Sequence, residues 1–162
     1  MFRRTDEGLQ VLLAHPGGPY FQKKDDGAWT IPKGEITEGE DLLTRAKIEF
    51  EEELGIAPSG DWIELGSVKQ KGGKVVYGWA FEGDLQGDFE LKSNTFVLEW
   101  PPRSGKMQTF PEVDKVAFFS VDEARRKVNI AQTVFLDRLS EALASSKTRS
   151  GGFQAADRKR AL

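Results

Sequence analysis

The clearest pattern of apolar and polar positions lies between Asp41 and Gly55, and it predicts an amphipathic helix. A helix turns about 100° per residue, so residues three and four apart lie on one side of it. The apolar residues at that spacing are Leu42, Leu43, Ala46, Phe50 and Leu54. Glycine, here Gly55, is the residue that most often ends a helix in the left-handed conformation. We therefore expect one helix with a buried apolar face.

Short apolar runs bounded by glycine and proline predict strands on both sides of this helix. These runs are the segments 9–14, 29–31, 62–68, 75–81, 95–100 and 116–119. Gly72 and Gly73 form a turn pair between two of the runs, which indicates a β-hairpin. Basic residues follow the fifth run in segment 103–108, which we interpret as a loop that covers a ligand.

Two more helices are predicted near the end of the chain. Ser120 and Glu123 form a capping-box pattern for a helix from about Val121 to Lys127. Asn129 begins a last helix, whose apolar stripe is Ala131, Val134, Phe135, Leu139 and Leu143. From Ser145 the periodicity is lost, so we predict a single domain over 1–144 and a disordered tail over 145–162. The order of the elements predicts an α+β layered fold.

Composition narrows the chemistry that the chain can perform. The 162 residues fit one domain, and the net charge of −3 does not indicate a nucleic-acid binder. The absence of cysteine excludes disulfides and thiol nucleophiles. His15, the one histidine, is predicted to cap or pack rather than to catalyse. No apolar run could cross a membrane and no signal peptide is evident, which predicts a cytoplasmic location.

Three acids form a stripe beside the apolar face of the first predicted helix: Glu49, Glu52 and Glu53. Three carboxylates on one patch repel one another, and a hard divalent cation such as Mg²⁺ between them would relieve that repulsion. The alternative is a solvated acidic face with no metal, which is the more common reason for glutamates on a helix.

The residues around this stripe form a longer motif. Gly34 is followed after five residues by Glu40 and then, after a further eight, by Glu49; the motif continues with the residues Phe50, Glu52, Glu53, Gly55 and Ile56. This spacing resembles the Nudix box, the signature of the Nudix hydrolase family. The preceding run, Trp29 to Lys33, is similar to the segment that leads into the box in several Nudix hydrolases.

One position departs from the box. Ile48 stands where the family has an arginine that orients the next glutamate. Arg45 lies one turn before Glu49 and could reach it as an i, i+4 partner. Two interpretations are open: Arg45 replaces the missing arginine, or it is a solvated surface residue.

The resemblance implies an α/β/α sandwich with a mixed β-sheet. It also implies that Mg²⁺ or Mn²⁺ assists the hydrolysis of a nucleoside diphosphate linked to another group, such as a nucleoside triphosphate or a dinucleoside polyphosphate. The expected partner is a small-molecule nucleotide or another diphosphate, and neither a membrane nor a nucleic acid. The implied metal ligands are Gly34, Glu49, Glu52 and Glu53. The family strand that usually precedes segment 9–14 has only Met1–Arg4 to supply it, so either the sequence begins late or the sheet lacks that strand.

Residues outside the stripe complete the predicted site. The catalytic candidates are Glu49, Glu52, Glu53 and Glu112, with Glu99 as an alternative to Glu112. Lys33, Lys71 and Arg103 are predicted to bind the substrate, because cations attract phosphates. The competing function is a catalytically weakened Nudix-fold module that binds a nucleotide or regulates another protein, an interpretation that rests on Ile48.

Overall fold

A computed structural model describes the backbone of residues 1–154 and the side chains of residues 1–146. The strands are β1 (Phe2–Thr5), β2 (Gly8–Pro16), β3 (Ile63–Lys69), β4 (Val75–Ala80), β5 (Thr95–Glu99), β6 (Met107–Pro111) and β7 (Val113–Ser120). The helices are α1 (Leu42–Leu54), α2 (Val121–Lys127) and α3 (Thr133–Gln154), with a 3₁₀ turn at Ile130–Gln132 between the last two.

Strand β2 is the centre of the main sheet. It pairs with β1 on one side and β7 on the other, both antiparallel. β3 pairs with β4 and β5 with β6 as separate antiparallel hairpins. A parallel bridge between Phe2 and Glu82 adds parallel pairing to these antiparallel ladders. The predicted α+β fold with a mixed sheet is confirmed.

The layers follow from the alternation of side chains along β2, because successive residues of a strand point to opposite faces. Val11 and Leu13 pack in a core with Phe135 from α3. Leu12, between them, packs on the opposite face with Phe50 from α1. Helices therefore cover both faces of the sheet, as in the predicted sandwich.

Several sequence predictions need correction in detail. The segment 29–31 forms only isolated bridges, from Thr30 to Ala14 and from Trp29 to Val128. The prediction of a loop over 103–108 is wrong for its last two residues, because β6 begins at Met107 and pairs along its length with β5. β1 is a paired strand at the start of the chain, where the sequence left its existence open.

The end of the chain also differs from the prediction. α3 continues to Gln154, past Ser145, where the apolar periodicity stops. The remainder of the predicted tail, 155–162, lies outside the described residues. No helix in the described part of the chain is long and apolar enough to cross a membrane.

Candidate functional site

Helix α1 presents the acidic stripe because both of its ends are capped and its apolar face is buried. At the first turn the Asp41 carboxylate accepts a hydrogen bond from the Thr44 N–H. At the last turn Gly55 takes a φ of 73° and its N–H donates to the Glu51 carbonyl. Phe50 and Leu54 lie in the core. The predicted helix and its terminating glycine are confirmed.

Glu53 is the most buried acid of the stripe, with only 8% of its surface exposed. Its Oε2 accepts a hydrogen bond of 2.9 Å from the Lys33 N–H. Burial raises the pKa of Glu53 to about 7. The nearby carboxylates of Glu49 and Glu112 also raise this pKa, whereas the hydrogen bond from the Lys33 N–H lowers it. Such a group exchanges a proton near neutral pH.

Glu49 lies against the loop that precedes the helix, with its carboxylate packed on Gly34. On its other side the Arg45 guanidinium forms a short ion pair with Glu49 Oε1 and lies 3.4 Å from Glu52 Oε2. The predicted i, i+4 contact between Arg45 and Glu49 is therefore present in the structure. Ile48 is 40% exposed and takes no part in this ion-pair cluster.

An open cleft brings the stripe together with a fourth acid from a distant part of the chain. We call it the acidic cleft: its carboxylates are Glu49, Glu52, Glu53 and Glu112, together with Glu35, whose carboxylate pairs with Lys74. Lys33, Gly34, Phe21, Asn94 and Phe96 lie on the same walls. Glu112 links β6 to β7, and its backbone is held on both sides by hydrogen bonds with Asn94 and Gly17. The sheet topology thus delivers Glu112 to the helix.

Two predicted substrate-binding residues do not lie on the cleft. Among the side chains that the structure describes, the lining includes neither Lys71, in the exposed β3–β4 turn, nor Arg103, in the exposed β5–β6 turn. Their assignment stays a prediction. Glu99 is also absent from these walls; it accepts a hydrogen bond from the Gly105 N–H within its own hairpin.

Lys74 belongs to the basic β3–β4 hairpin whose lysines the sequence predicts to attract phosphates, although Lys71 is the one assigned to the site. Lys74 lines the acidic cleft, and its Nζ lies 3.2 Å from Glu35 Oε1.

A second, more apolar cavity of about 290 Å³ adjoins the acidic cleft and shares its central residues Gly34, Arg45 and Glu49. Its other walls come from the outer face of β4 and from the loop and first turns at α1: Val75, Tyr77, Trp79, Ile36, Leu42 and Ala46. Side chains alternate along a strand, so β4 turns Val76 and Ala80 into the core. Val75, Tyr77 and Trp79 of the same strand point towards α1.

His15 is fully buried and belongs to the fold rather than to the cleft. Its Nδ1 lies 2.8 Å from Asp114 Oδ1, and its Nε2 lies 2.7 Å from the Lys24 carbonyl oxygen. Its ring packs edge-on against Trp29. These contacts tie the loop after β2 to β7, which agrees with the packing role predicted for it.

The comparisons with known proteins agree with this geometry. The family model described as the NUDIX domain matches residues 1–139, most of the chain. The chain belongs to the Nudix family. The predicted family is thereby confirmed, and family membership bears out the prediction of a pyrophosphohydrolase. Among curated protein sequences no significant match is found.

Solved structures show the same Nudix fold at low sequence identity. C. elegans Ap4A hydrolase, in a binary complex, is 19% identical with a TM-score of 0.62, over 89% of this chain and 94% of that one. The NUDIX domain of Shewanella oneidensis NrtR, complexed with ADP ribose, is 17% identical with a TM-score of 0.59, over 88% and 82%. MutT protein from Methanosarcina mazei Go1 is 20% identical with a TM-score of 0.53, over 87% and 89%.

The donor set of this Nudix cleft fits a hard cation. Its acids supply oxygen ligands, which Mg²⁺ prefers. Within the described side chains, no three carboxylate or histidine groups converge closely enough to hold an ion by themselves. Mg²⁺ does not require such a cage, because it commonly takes one or two carboxylates and fills its other positions with water and substrate phosphates.

Proposed function

We propose that this Nudix domain is a Mg²⁺-dependent hydrolase that cleaves a phosphoanhydride bond in a nucleoside diphosphate linked to another group. A nucleoside triphosphate or a dinucleoside polyphosphate is the expected substrate. The observation that carries the proposal is the acidic cleft, where three glutamates of α1 meet Glu112 beside Gly34. A small-molecule substrate and a cytoplasmic location remain predictions from the sequence.

The candidate ligands for Mg²⁺ or Mn²⁺ are Glu49, Glu52, Glu53 and the carbonyl of Gly34, of which one or two carboxylates would contact any single ion. When bound there, the cation would neutralise charge on the phosphate oxygens and lower the pKa of a bound water. Burial gives Glu53 a pKa of about 7 in the metal-free cleft, and a cation bound to its carboxylate would lower that pKa. Glu112, which also lines the cleft, is the candidate base outside α1.

The surroundings of the cleft suit a nucleotide. Lys33 and Lys74 lie on the walls and would attract phosphates as point charges. The adjoining apolar cavity carries the half-exposed ring of Tyr77 and the ring of Trp79, on which a base can stack. Its size lies near the lower end of the range of about 300–1,000 Å³ for small-molecule sites. A base in this cavity would leave its phosphates beside Glu49.

The test is Glu52→Gln, which removes one proposed ligand from a partly exposed side chain and should leave the fold intact. We expect turnover of a Nudix substrate panel with Mg²⁺ to fall about a hundredfold or more, about 3 kcal/mol of lost transition-state stabilisation. Glu51→Gln is the matched control, because Glu51 is exposed on the same helix and does not line the cleft. If the folded Glu52→Gln protein works at the parent rate, the metal assignment is wrong.

A second candidate function is a nucleotide-binding module with weakened chemistry. Ile48 favours it, because an apolar side chain cannot hydrogen-bond the adjacent Glu49. The similarity to a Nudix domain complexed with ADP ribose suggests the ligand to test first. Calorimetric binding of ADP ribose, with no Mg²⁺-dependent release of a mononucleotide from any member of the panel, would favour the module over the enzyme.

A further inference from the structure

We propose that Arg45 is a positioning residue that holds the Glu49 carboxylate in place and fastens the loop at Glu35 to α1. The kinetic part of this inference rests on the proposed function, whereas its effect on the metal-free protein does not. Arg45 thereby takes the place of the arginine that Ile48 replaces in the Nudix box, from one turn earlier on the same helix.

The contacts of the Arg45 side chain reach three groups at once. Its Nη2 forms the short ion pair with Glu49 and lies 3.4 Å from the Glu52 carboxylate. Its Nε–H donates to the Glu35 carbonyl at 3.3 Å. A guanidinium presents five N–H donors in a planar fork, so one arginine can join two turns of helix and the loop.

Glu49 needs such a partner because of where it stands. Its side chain is only 12% exposed, between Arg45 on one side and the backbone of Gly34 on the other. The Lys33 N–H is already bonded to Glu53, one turn further along α1. Without Arg45, the carboxylate would be close to other acids with no donor of its own, and it would sample several rotamers.

The position of Arg45 also links the two cavities. Arg45 and Glu35 line both, and the Glu35 carboxylate pairs with Lys74 at the end of the β3–β4 hairpin. The path Lys74–Glu35–Arg45–Glu49 therefore connects the wall of the apolar cavity to the acidic stripe. A shift of the loop would move the carboxylate relative to a substrate that spans both cavities.

Charge alone is not sufficient for this role. A lysine at position 45 would keep the positive charge but would lack the fork that meets Glu49, Glu52 and the Glu35 carbonyl together. An arginine at position 48 would supply a second guanidinium from the next turn, since it would stand next to Glu49 and four residues before Glu52. These two changes therefore separate positioning from simple neutralisation.

The experiment compares Arg45→Ala, Arg45→Lys, and Arg45→Ala combined with Ile48→Arg, using the full chain. We expect Arg45→Ala to lower kcat about tenfold, the effect of one charge-assisted hydrogen bond, with little change in KM. Arg45→Lys should recover little of the loss, and the double variant most of it. Arg125→Ala is the control, because Arg125 pairs with Asp137 away from the cleft.

Thermal unfolding supplies a readout that does not need turnover. In the metal-free protein, Arg45→Ala should lower Tm by about 3 °C, since the acids lose their counter-charge, whereas saturating Mn²⁺ should remove that difference. If no compound is hydrolysed, the proposed function fails while this readout still tests Arg45. An unchanged Tm together with an unchanged kcat would overturn the inference, and so would full recovery of kcat by Arg45→Lys.

Discussion

The Glu49 carboxylate occupies the space that any side chain at position 34 would need. A Cβ added to Gly34 would overlap Glu49 Cδ and Oε2, far inside van der Waals contact. Glycine is therefore required here for close approach of the backbone to the acid. The backbone conformation does not require glycine here, because Gly34 does not have a positive φ.

Gly34→Ala should displace Glu49 and leave the fold in place, because the end of a glutamate side chain can rotate away from the new methyl. A misplaced group at a reacting centre costs on the order of a hundredfold in rate, so we expect kcat to fall by about that factor. Steady-state kinetics with far-UV circular dichroism would check both parts. Gly87→Ala is the control, since a Cβ there meets nothing within 4 Å; a Gly34→Ala protein with the parent kcat would mean that this contact has no catalytic consequence.

Local patterns in the sequence predicted α1 and the acids it carries. The spacing of the apolar residues defines the helix and Gly55 its end, and the stripe of glutamates follows from the helix geometry. The sequence leaves open whether Arg45 contacts Glu49, although such a contact is possible because i, i+4 partners are neighbours on any helix. The structure decided it in favour of contact.

Features that depend on pairing between distant segments were less accessible. The sequence places Met107 and Gln108 in a loop because they follow basic and glycine residues, and only their pairing with β5 makes them a strand. For the same reason the sequence does not show that Lys74 rather than Lys71 lines the cleft, because this depends on where tertiary packing places the β3–β4 hairpin. The sequence favours Glu112 over Glu99 only through its place in a loop before a strand, and the fold is needed to show that Glu112 lines the cleft.

The raised pKa of Glu53 predicts a pH-dependent stability of the metal-free protein. Burial raises this pKa from 4.5 to about 7. The protonated form is thus favoured by folding, and the stability that it contributes is complete below pH 4.5 and is lost as pH rises through 7. Chemical denaturation in EDTA should show a free energy of unfolding that declines over this window.

Glu53→Gln should flatten that decline, because glutamine keeps the size of the side chain without its charge. The midpoint of denaturation measured between pH 5 and 8 provides the comparison. Glu51→Gln, at an exposed position on the same helix, should retain the parent pH dependence. Equal slopes for parent and Glu53→Gln would show that Glu53 is not the group responsible.

His15→Ala should affect stability and leave the pH dependence of the reaction unchanged. The side chain is buried and both ring nitrogens are bonded, so its removal leaves a cavity and takes away the hydrogen-bond partner of Asp114 and of the Lys24 carbonyl. We expect a loss of about 2–4 kcal/mol in the free energy of unfolding, measured with urea. The pH–rate profile of the folded fraction should keep its shape, and a profile that loses one limb would instead assign His15 to the chemistry.

Glu112 and Glu99 can be separated because their surroundings differ. Glu112 lies on the acidic cleft, and its charge contributes to the raised pKa of Glu53, whereas Glu99 is bonded to the Gly105 N–H inside the β5–β6 hairpin. Glu112→Gln should lower kcat about a hundredfold if Glu112 takes the proton from water, since general bases commonly contribute about 10²–10⁴-fold. Glu99→Gln should leave kcat unchanged. Parent activity in Glu112→Gln would confine the base to the glutamates of α1. A loss of kcat in a folded Glu99→Gln protein alone would instead assign this role to Glu99.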